Sequence, residues 1–168
     1  MTPLAAAPDP APRRRPPYKN WRPPIISVHV LVPVGATGLA LPGFPDDAVV
    51  LPTGPVEGGQ TPEEAAQAVF AGLPDGLPIG RRVAVDQVQM TRRKIISHIV
   101  VTAPLTMQEA GALTYRDPRT DVQVLPTGQA MAALPERART RALLGFQAIA
   151  IGSIVYVQDG RTQRLESM

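Results

Sequence analysis

The sequence contains no cysteine, which excludes disulfide bonds and zinc sites built on cysteine ligands. It also contains no apolar run that approaches the ~18–20 residues of a transmembrane helix, so we expect no membrane-spanning segment. The N-terminus has no compact hydrophobic segment followed by a cleavage site, and we therefore expect no signal peptide. Together these absences predict a cytoplasmic protein that does not engage a membrane.

The net charge of the chain is small. Lysine and arginine total 17 against 14 aspartates and glutamates, and nearly all the cations are arginine. A formal net charge of +3 permits contact with anionic partners without requiring it. The length of 168 residues suits one domain with a sizeable core.

Proline content divides the chain into three segments. Residues 1–24 are too rich in proline for helix or sheet and carry an arginine triplet at 13–15, so we predict a disordered tail. The alternative is an arm that touches nucleic acid, but one arginine triplet is a small electrostatic footprint. We assign residues 25–157 to the folded domain and residues 158–168 to a C-terminal tail.

The domain begins with residues 25–34, a nearly continuous β-branched and apolar run that predicts a central strand buried on both faces. Residues 82–90 and 94–103 predict a hairpin with a basic tip. The remaining pattern predicts a short strand at 39–41, a short helix from Thr106, a strand at 122–125, a helix from Pro135 to about Ile151 and an apolar strand at 154–157. The helix after Pro135 would dock through Ala138, Leu143, Leu144, Phe146 and Ile149.

Between these elements, residues 51–73 predict the end of a strand, a glycine-rich loop and a sharply started helix. Thr61 suits the N-cap, Pro62 the first helical position, and Glu64 completes a capping box. Four apolar residues at helical spacing then predict a stripe that carries the helix to its end: Ala66, Val69, Phe70 and Leu73.

Laid from Gly54, this stretch resembles the Nudix box, the signature of enzymes that hydrolyse nucleoside diphosphates linked to another group. The frame Leu-Pro-x-Gly-x-Val-Glu-x-Gly and the following Thr-Pro-Glu-Glu-Ala-Ala carry the resemblance. It implies an α/β (α+β) fold with a mixed sheet held between helices, over about residues 25–151.

The resemblance also implies a chemistry that this box lacks. In the family, glutamates of the box hold Mg²⁺ or Mn²⁺ against the diphosphate, because hard divalent cations need several carboxylate oxygens. The matching glutamate and arginine positions here are Gln60, Ala68, Val69, Gly72 and Leu73. The box is therefore degenerate, with its scaffold kept and its metal ligands missing.

Other polar residues offer few substitutes. Glu63 and Glu64 suit the first turn of a helix, where they complement the cap and the helix dipole. Glu57 lies in the loop, where it would touch a ligand or brace the loop, while Asp46 and Asp47 reach the box only if their loop folds back. Asp86 and Glu109 cannot be placed from sequence. His29 and His98 are mid-strand, and we expect sheet-face histidines that pair only if their strands are neighbours.

These observations leave three functions open, and whether the protein is an enzyme stays undecided. We favour a catalytically silent Nudix-like module that needs no cofactor and binds a nucleotide-like molecule or a protein partner. Its predicted ligand-binding residues are Glu57, Gly58, Gly59, Arg92 and Arg93, and a homodimer is allowed. The first alternative is an active nucleoside diphosphate-X pyrophosphohydrolase that uses Mg²⁺ or Mn²⁺ on relocated acids. The second is a nucleic-acid-binding accessory protein that uses residues 13–15, 81–82 and 92–94.

Overall fold

A computed structural model describes residues 21–167 of the chain. Most of the predicted N-terminal tail, including the arginine triplet at 13–15, lies outside the described residues. Residues 21–24 belong to no helix or strand, and the backbone N–H of Arg22 donates to the carbonyl of Arg92 at 3.0 Å.

Eleven strands and four helices make up the described part of the chain. In chain order they are β1 (Ile25–Leu31), β2 (Pro33–Val34), β3 (Gly38–Gly43), β4 (Thr53–Pro55), α1 (Pro62–Gln67), β5 (Phe70–Ala71), β6 (Ile79–Gln89), β7 (Lys94–Thr102), α2 (Met107–Ala112), β8 (Thr114–Tyr115), β9 (Asp121–Pro126), α3 (Thr127–Ala133), α4 (Glu136–Ile151), β10 (Ser153–Gln158) and β11 (Arg161–Ser167). No helix among residues 21–167 is long and apolar enough to cross a membrane.

The main sheet has six strands in the order β11-β10-β6-β7-β1-β4. β7 runs parallel to β1, and β6 runs parallel to β10, while the remaining pairs are antiparallel. A three-stranded sheet, β2-β3-β9, and the short pair β5-β8 complete the strand pairing. The predicted hairpin is confirmed as β6 and β7, which occupy the middle of the main sheet.

Helices cover both faces of this sheet, which confirms the predicted architecture. On one face, α1 and α2 enclose a core that includes Val28, Val30 and Val100. On the other face, α3 and α4 enclose a second core that includes Leu31 and Ile99. Alternate residues of β1 therefore feed two separate cores, as expected for a strand that is buried on both faces.

The prediction of one strand over residues 25–34 is wrong in its extent. β1 ends at Leu31, and Pro33 and Val34 join the three-stranded sheet as β2. Pro33 has no backbone N–H to continue a ladder, so the chain changes sheets there. β1 is also not the central strand, because it lies between β7 and the edge strand β4.

Helix α4 matches its predicted span, and Gly152 ends it in the left-handed conformation at φ 65°. Its docking face is partly wrong, because Leu143 is 51% exposed. The buried residues are Ala142, Gly145 and Ala148. A Cβ on Gly145 would lie 2.6 Å from Leu31 Cδ1, so the small residues seat this helix close to the sheet.

The residues assigned to a C-terminal tail, 158–168, include a regular strand. β11 pairs antiparallel with β10 through a tight turn at Asp159 and Gly160, both with positive φ. Asp-Gly is a favoured pair for such two-residue hairpin turns. β11 extends the main sheet by one edge strand.

Candidate functional site

The strand, loop and helix start predicted around residues 53–62 are present. Thr61 Oγ1 accepts from the N–H of Glu64 at 3.1 Å, and Glu64 Oε2 accepts from the N–H of Thr61 at 2.8 Å. The bond from the Thr61 N–H to the Glu64 carboxylate, followed by an interaction with the Thr61 side chain, lowers the pKa of Glu64 below its usual value. The predicted capping box is therefore confirmed, and it uses Glu64 for structure.

The predicted end of this helix is wrong. α1 has only six residues and ends at Gln67, after which Phe70 and Ala71 form β5 and pair with β8. Val69 and Phe70 are buried, but as part of a turn and a strand. The ring of Phe70 packs on Tyr115, with centroids 5.5 Å apart.

Backbone geometry also prevents the helix from extending through the predicted stripe to Leu73. Gly72 has φ +105°, and a Cβ at this position would collide with the carbonyl oxygen of Ala112. Pro74 follows and cannot continue a helix. The positions that match the metal ligands of the Nudix box, Val69 and Gly72 among them, therefore do not share one helix face.

Two bonds from one tyrosine anchor the strand that enters the box. The hydroxyl of Tyr115 accepts from the N–H of Thr53 at 3.2 Å and donates to the carbonyl of Thr53 at 3.1 Å. The N–H of Arg116 donates to the carbonyl of Val69 at 3.2 Å. Segment 115–116 is thereby fixed beside the box although it is distant in sequence.

A cavity of about 310 Å³ lies at this junction, and we call it the box pocket. Its lining consists of Gly54, Pro55, Glu57, Gln60, Ala65, Ala68, Val69 and Arg116. Glu57 and Arg116 give it one charge of each sign above an apolar floor of alanines and Val69. The predicted site residue Glu57 thus lines a real cavity.

Gln60 braces the loop beneath this pocket. Its Oε1 accepts from the N–H of Glu57 at 3.1 Å, and its own N–H donates to the carbonyl of Glu57 at 3.0 Å. The predicted site residues Gly58 and Gly59 lie in the exposed tip of the same loop but do not line the pocket. Gly59 has φ +83°, a conformation that glycine adopts at no steric cost.

Arg92 and Arg93 do not join this pocket. The strand register puts the β6–β7 tip and the box loop at the same end of the strands, because Ile25 pairs with Ile95 and Ser27 pairs with Pro55. β1 separates the two, and neither arginine lines the box pocket. The structure therefore brings only part of the predicted ligand-binding set together.

Arg116 is the pocket residue that sequence reasoning missed, since it lies outside the box and outside every helix and strand predicted from the sequence. A Cβ on Gly54 would lie 3.2 Å from Val69 Cγ2 and 3.3 Å from Arg116 Nη1, so both side chains rest against the Gly54 backbone. No motif signals this contact, because it depends on the pairing of β5 with β8.

Four of the other acidic residues considered as relocated ligands have structural partners. Glu63 lies 3.8 Å from Arg82, Asp86 lies 3.3 Å from Arg141, Asp46 accepts from the N–H of Ala48 at 3.3 Å, and Glu109 closes the capping box of α2 on Thr106. Among residues 21–167, no group of three or more histidine, cysteine, aspartate or glutamate side chains is arranged to hold a metal ion.

The two histidines do not pair. Their strands are neighbours, but His29 lies opposite Ile99 and His98 lies opposite Val28, so they point to opposite faces of the sheet. Burial and the nearby Arg141 guanidinium lower the pKa of His29 to about 3. Burial also lowers the pKa of His98, with Arg82 adding to the effect. Both rings are therefore neutral at pH 7.

A second cavity, of about 270 Å³, lies between α4 and the β6–β7 hairpin. Its charged lining residues are Arg137, Arg141, Asp86 and Glu136, two of each sign. Because Arg141 already pairs with Asp86, this cavity offers an anion little net attraction. We take the box pocket as the candidate ligand site because it is built mainly from the segment that resembles the Nudix box.

Comparison with known proteins identifies the fold. No protein-family model and no curated protein matches the sequence. The structure is similar to the E. coli ORF135 protein (17% identity, 80% of this chain and 96% of the other, TM-score 0.55). It is also similar to a MutT protein from Methanosarcina mazei Go1 (14%, 77% and 96%, 0.54) and to a NUDIX hydrolase from Nitrosomonas europaea (11%, 82% and 78%, 0.57). The chain has a Nudix-like fold.

Proposed function

We propose that this chain is a catalytically silent Nudix-fold module that binds a nucleotide-like ligand through the box pocket. The observation that carries the proposal is the early end of α1 at Gln67. The cap, the loop and a cavity are kept, while the segment that would array metal-binding carboxylates on a helix is instead a turn and a paired strand.

The chemistry of diphosphate hydrolysis favours this function over the metal-dependent alternative. A catalytic Mg²⁺ or Mn²⁺ needs several oxygen ligands from the protein and substrate, and it neutralises the charge that develops on the leaving phosphate. Among residues 21–167, Glu57 is the one carboxylate that lines the box pocket. Val69 is fully buried beneath the pocket. A glutamate at this position would have to bury its charged carboxylate away from water, which costs free energy.

An assay of turnover tests the silent assignment. Purified protein would be incubated with a panel of nucleoside diphosphate derivatives in the presence of Mg²⁺ or Mn²⁺, and we expect no product above the protein-free control. Turnover that is lost on Glu57→Gln but retained on Asp75→Asn, an exposed acid outside the pocket, would refute silence and support the relocated-acid hydrolase.

Two competing outcomes concern partners. A salt-dependent gel shift with nucleic acid, abolished by neutralising Arg92, Arg93 and Lys94 together, would favour the nucleic-acid-binding function. Failure of every nucleotide to bind would leave a protein partner as the occupant of this surface. A cytoplasmic location and a homodimer belong to the same proposal, and cell fractionation and light scattering test them.

A further inference from the structure

We propose that Arg116 binds the phosphate groups of the ligand directly and takes the place that a divalent cation holds in a metal-dependent site. This inference rests on the proposed function, because it names the chemical class that the box pocket recognises. That class is a diphosphate-containing anion that binds without Mg²⁺ or Mn²⁺.

The backbone that carries Arg116 is fixed on three sides. β8 pairs with β5 immediately before it, and its own N–H donates to the carbonyl of Val69 at 3.2 Å. The preceding residue, Tyr115, bonds both backbone groups of Thr53. A guanidinium that starts from a braced backbone loses less conformational entropy when it captures an anion.

The acid next to Arg116 in sequence, Asp117, is bonded by another arginine, although the charge of Arg116 also acts on it. Asp117 accepts two bonds from the side chain of Arg119, at 3.0 and 2.7 Å, and these bonds lower its pKa to about 2. Within residues 21–167, the Arg116 side chain takes part in none of the ion pairs. Its planar fork of N–H donors matches a phosphate in two-bond geometry.

The substituted box also creates the space and the environment for this role. Gly54 has no Cβ, and one placed there would press on both Val69 and Arg116. Val69 stands where the Nudix box has a glutamate, which would otherwise neutralise the guanidinium. The uncharged Val69 leaves Arg116, which is exposed, open to an external anion from this side.

Isothermal titration calorimetry with inorganic pyrophosphate and with ADP-ribose, in buffer that contains EDTA, tests the inference. We expect both to bind the wild-type protein, and Arg116→Gln to weaken binding by about ten- to a hundredfold. Arg161→Gln removes the same charge from exposed β11 and should change affinity less than about twofold. Glu57→Gln should strengthen binding, because it removes the only negative side chain of the pocket.

The outcomes separate this inference from the proposed function. Binding that Arg116→Gln leaves intact, or that requires Mn²⁺, would overturn the role of Arg116 and keep the ligand-binding module. No binding of either compound to the wild type, with or without Mn²⁺, would overturn both. Melting temperature and circular dichroism establish that the variants fold, and Arg116→Lys, which keeps the charge without the fork, should bind with intermediate affinity.

Discussion

Restoring a box glutamate at position 72 should damage the fold and create no metal site. Gly72 aligns with a glutamate of the Nudix box, so Gly72→Glu is the natural attempt to rebuild the motif. Its φ of +105° is a conformation that L side chains rarely adopt, and its missing Cβ faces the Ala112 carbonyl. Neither obstacle is removed by rotating the new side chain.

The expected loss of folding free energy is the sum of the backbone strain and the steric clash. A side chain held in a sparsely populated backbone region costs about 1–3 kcal/mol, and overpacking against fixed backbone costs about 1–3 kcal/mol more. The total of roughly 2–6 kcal/mol is a large part of the stability of a typical domain. It corresponds to a fall in melting temperature of about 4–24 °C for a chain of this size.

Urea denaturation and thermal melting measure this loss, and calorimetry with Mn²⁺ measures any gain of metal affinity. The matched control is Gly58→Glu, whose added Cβ meets nothing within 4 Å and whose effect should stay within about 0.5 kcal/mol. The reasoning fails if Gly72→Glu melts with the wild type and binds Mn²⁺, because the segment must then be able to continue as a helix.

Three further substitutions test other features. His29→Gln should flatten part of the pH dependence of stability: the folded pKa is lowered from 6.5 to about 3, so the wild type keeps this contribution above pH 6.5 and loses it towards pH 3. An unchanged curve by urea titration would show that His29 is not desolvated. Tyr115→Phe should lower the unfolding free energy by about 1–3 kcal/mol, since both backbone groups of Thr53 lose a partner, and no loss in the same assay would contradict this anchor. Gly145→Ala should destabilise by about 1–3 kcal/mol despite the better helix propensity of alanine, and a gain in melting temperature would refute close contact with Leu31.

Local signals predicted the elements that depend on neighbouring residues. The capping boxes of Thr61 with Glu64 and of Thr106 with Glu109 fix where α1 and α2 begin. The turn at 91–93 fixes the β6–β7 hairpin in the same way. Each of these features is decided by residues within a few positions of one another.

Local signals did not predict where α1 ends. Ala66, Val69 and Phe70 have helical spacing and are all buried, so the pattern is satisfied although only Ala66 belongs to the helix. Phe70 gains its burial from Tyr115 on a distant strand, and that competing pairing wins over local periodicity. Gly72 and Pro74 were the local stop signals, but the box frame suggested a longer helix.

The candidate site also combines a residue that a local motif predicts with one that only long-range pairing brings in. Glu57 was predicted because it lies within the box, whereas Arg116 enters only through long-range pairing. Arg92 and Arg93 shared a charge pattern with a ligand site but lie across β1 from the pocket. A charge cluster in sequence gives no information about which cavity it faces.

The main sheet combines a local antiparallel hairpin with parallel strands that are distant in sequence, and this affects the order in which its strands can pair. The β6–β7 hairpin closes a short turn, while its two parallel neighbours reach it from opposite ends of the chain, as Ile25 pairs with Ile95 and Val155 with Ala84. Closing such long loops is slow compared with forming a hairpin. During synthesis β1 leaves the ribosome before β7, and of its two partners in the sheet only the short edge strand β4 is then available. We therefore predict that the β6–β7 hairpin forms before β1 and β10 dock on its two sides.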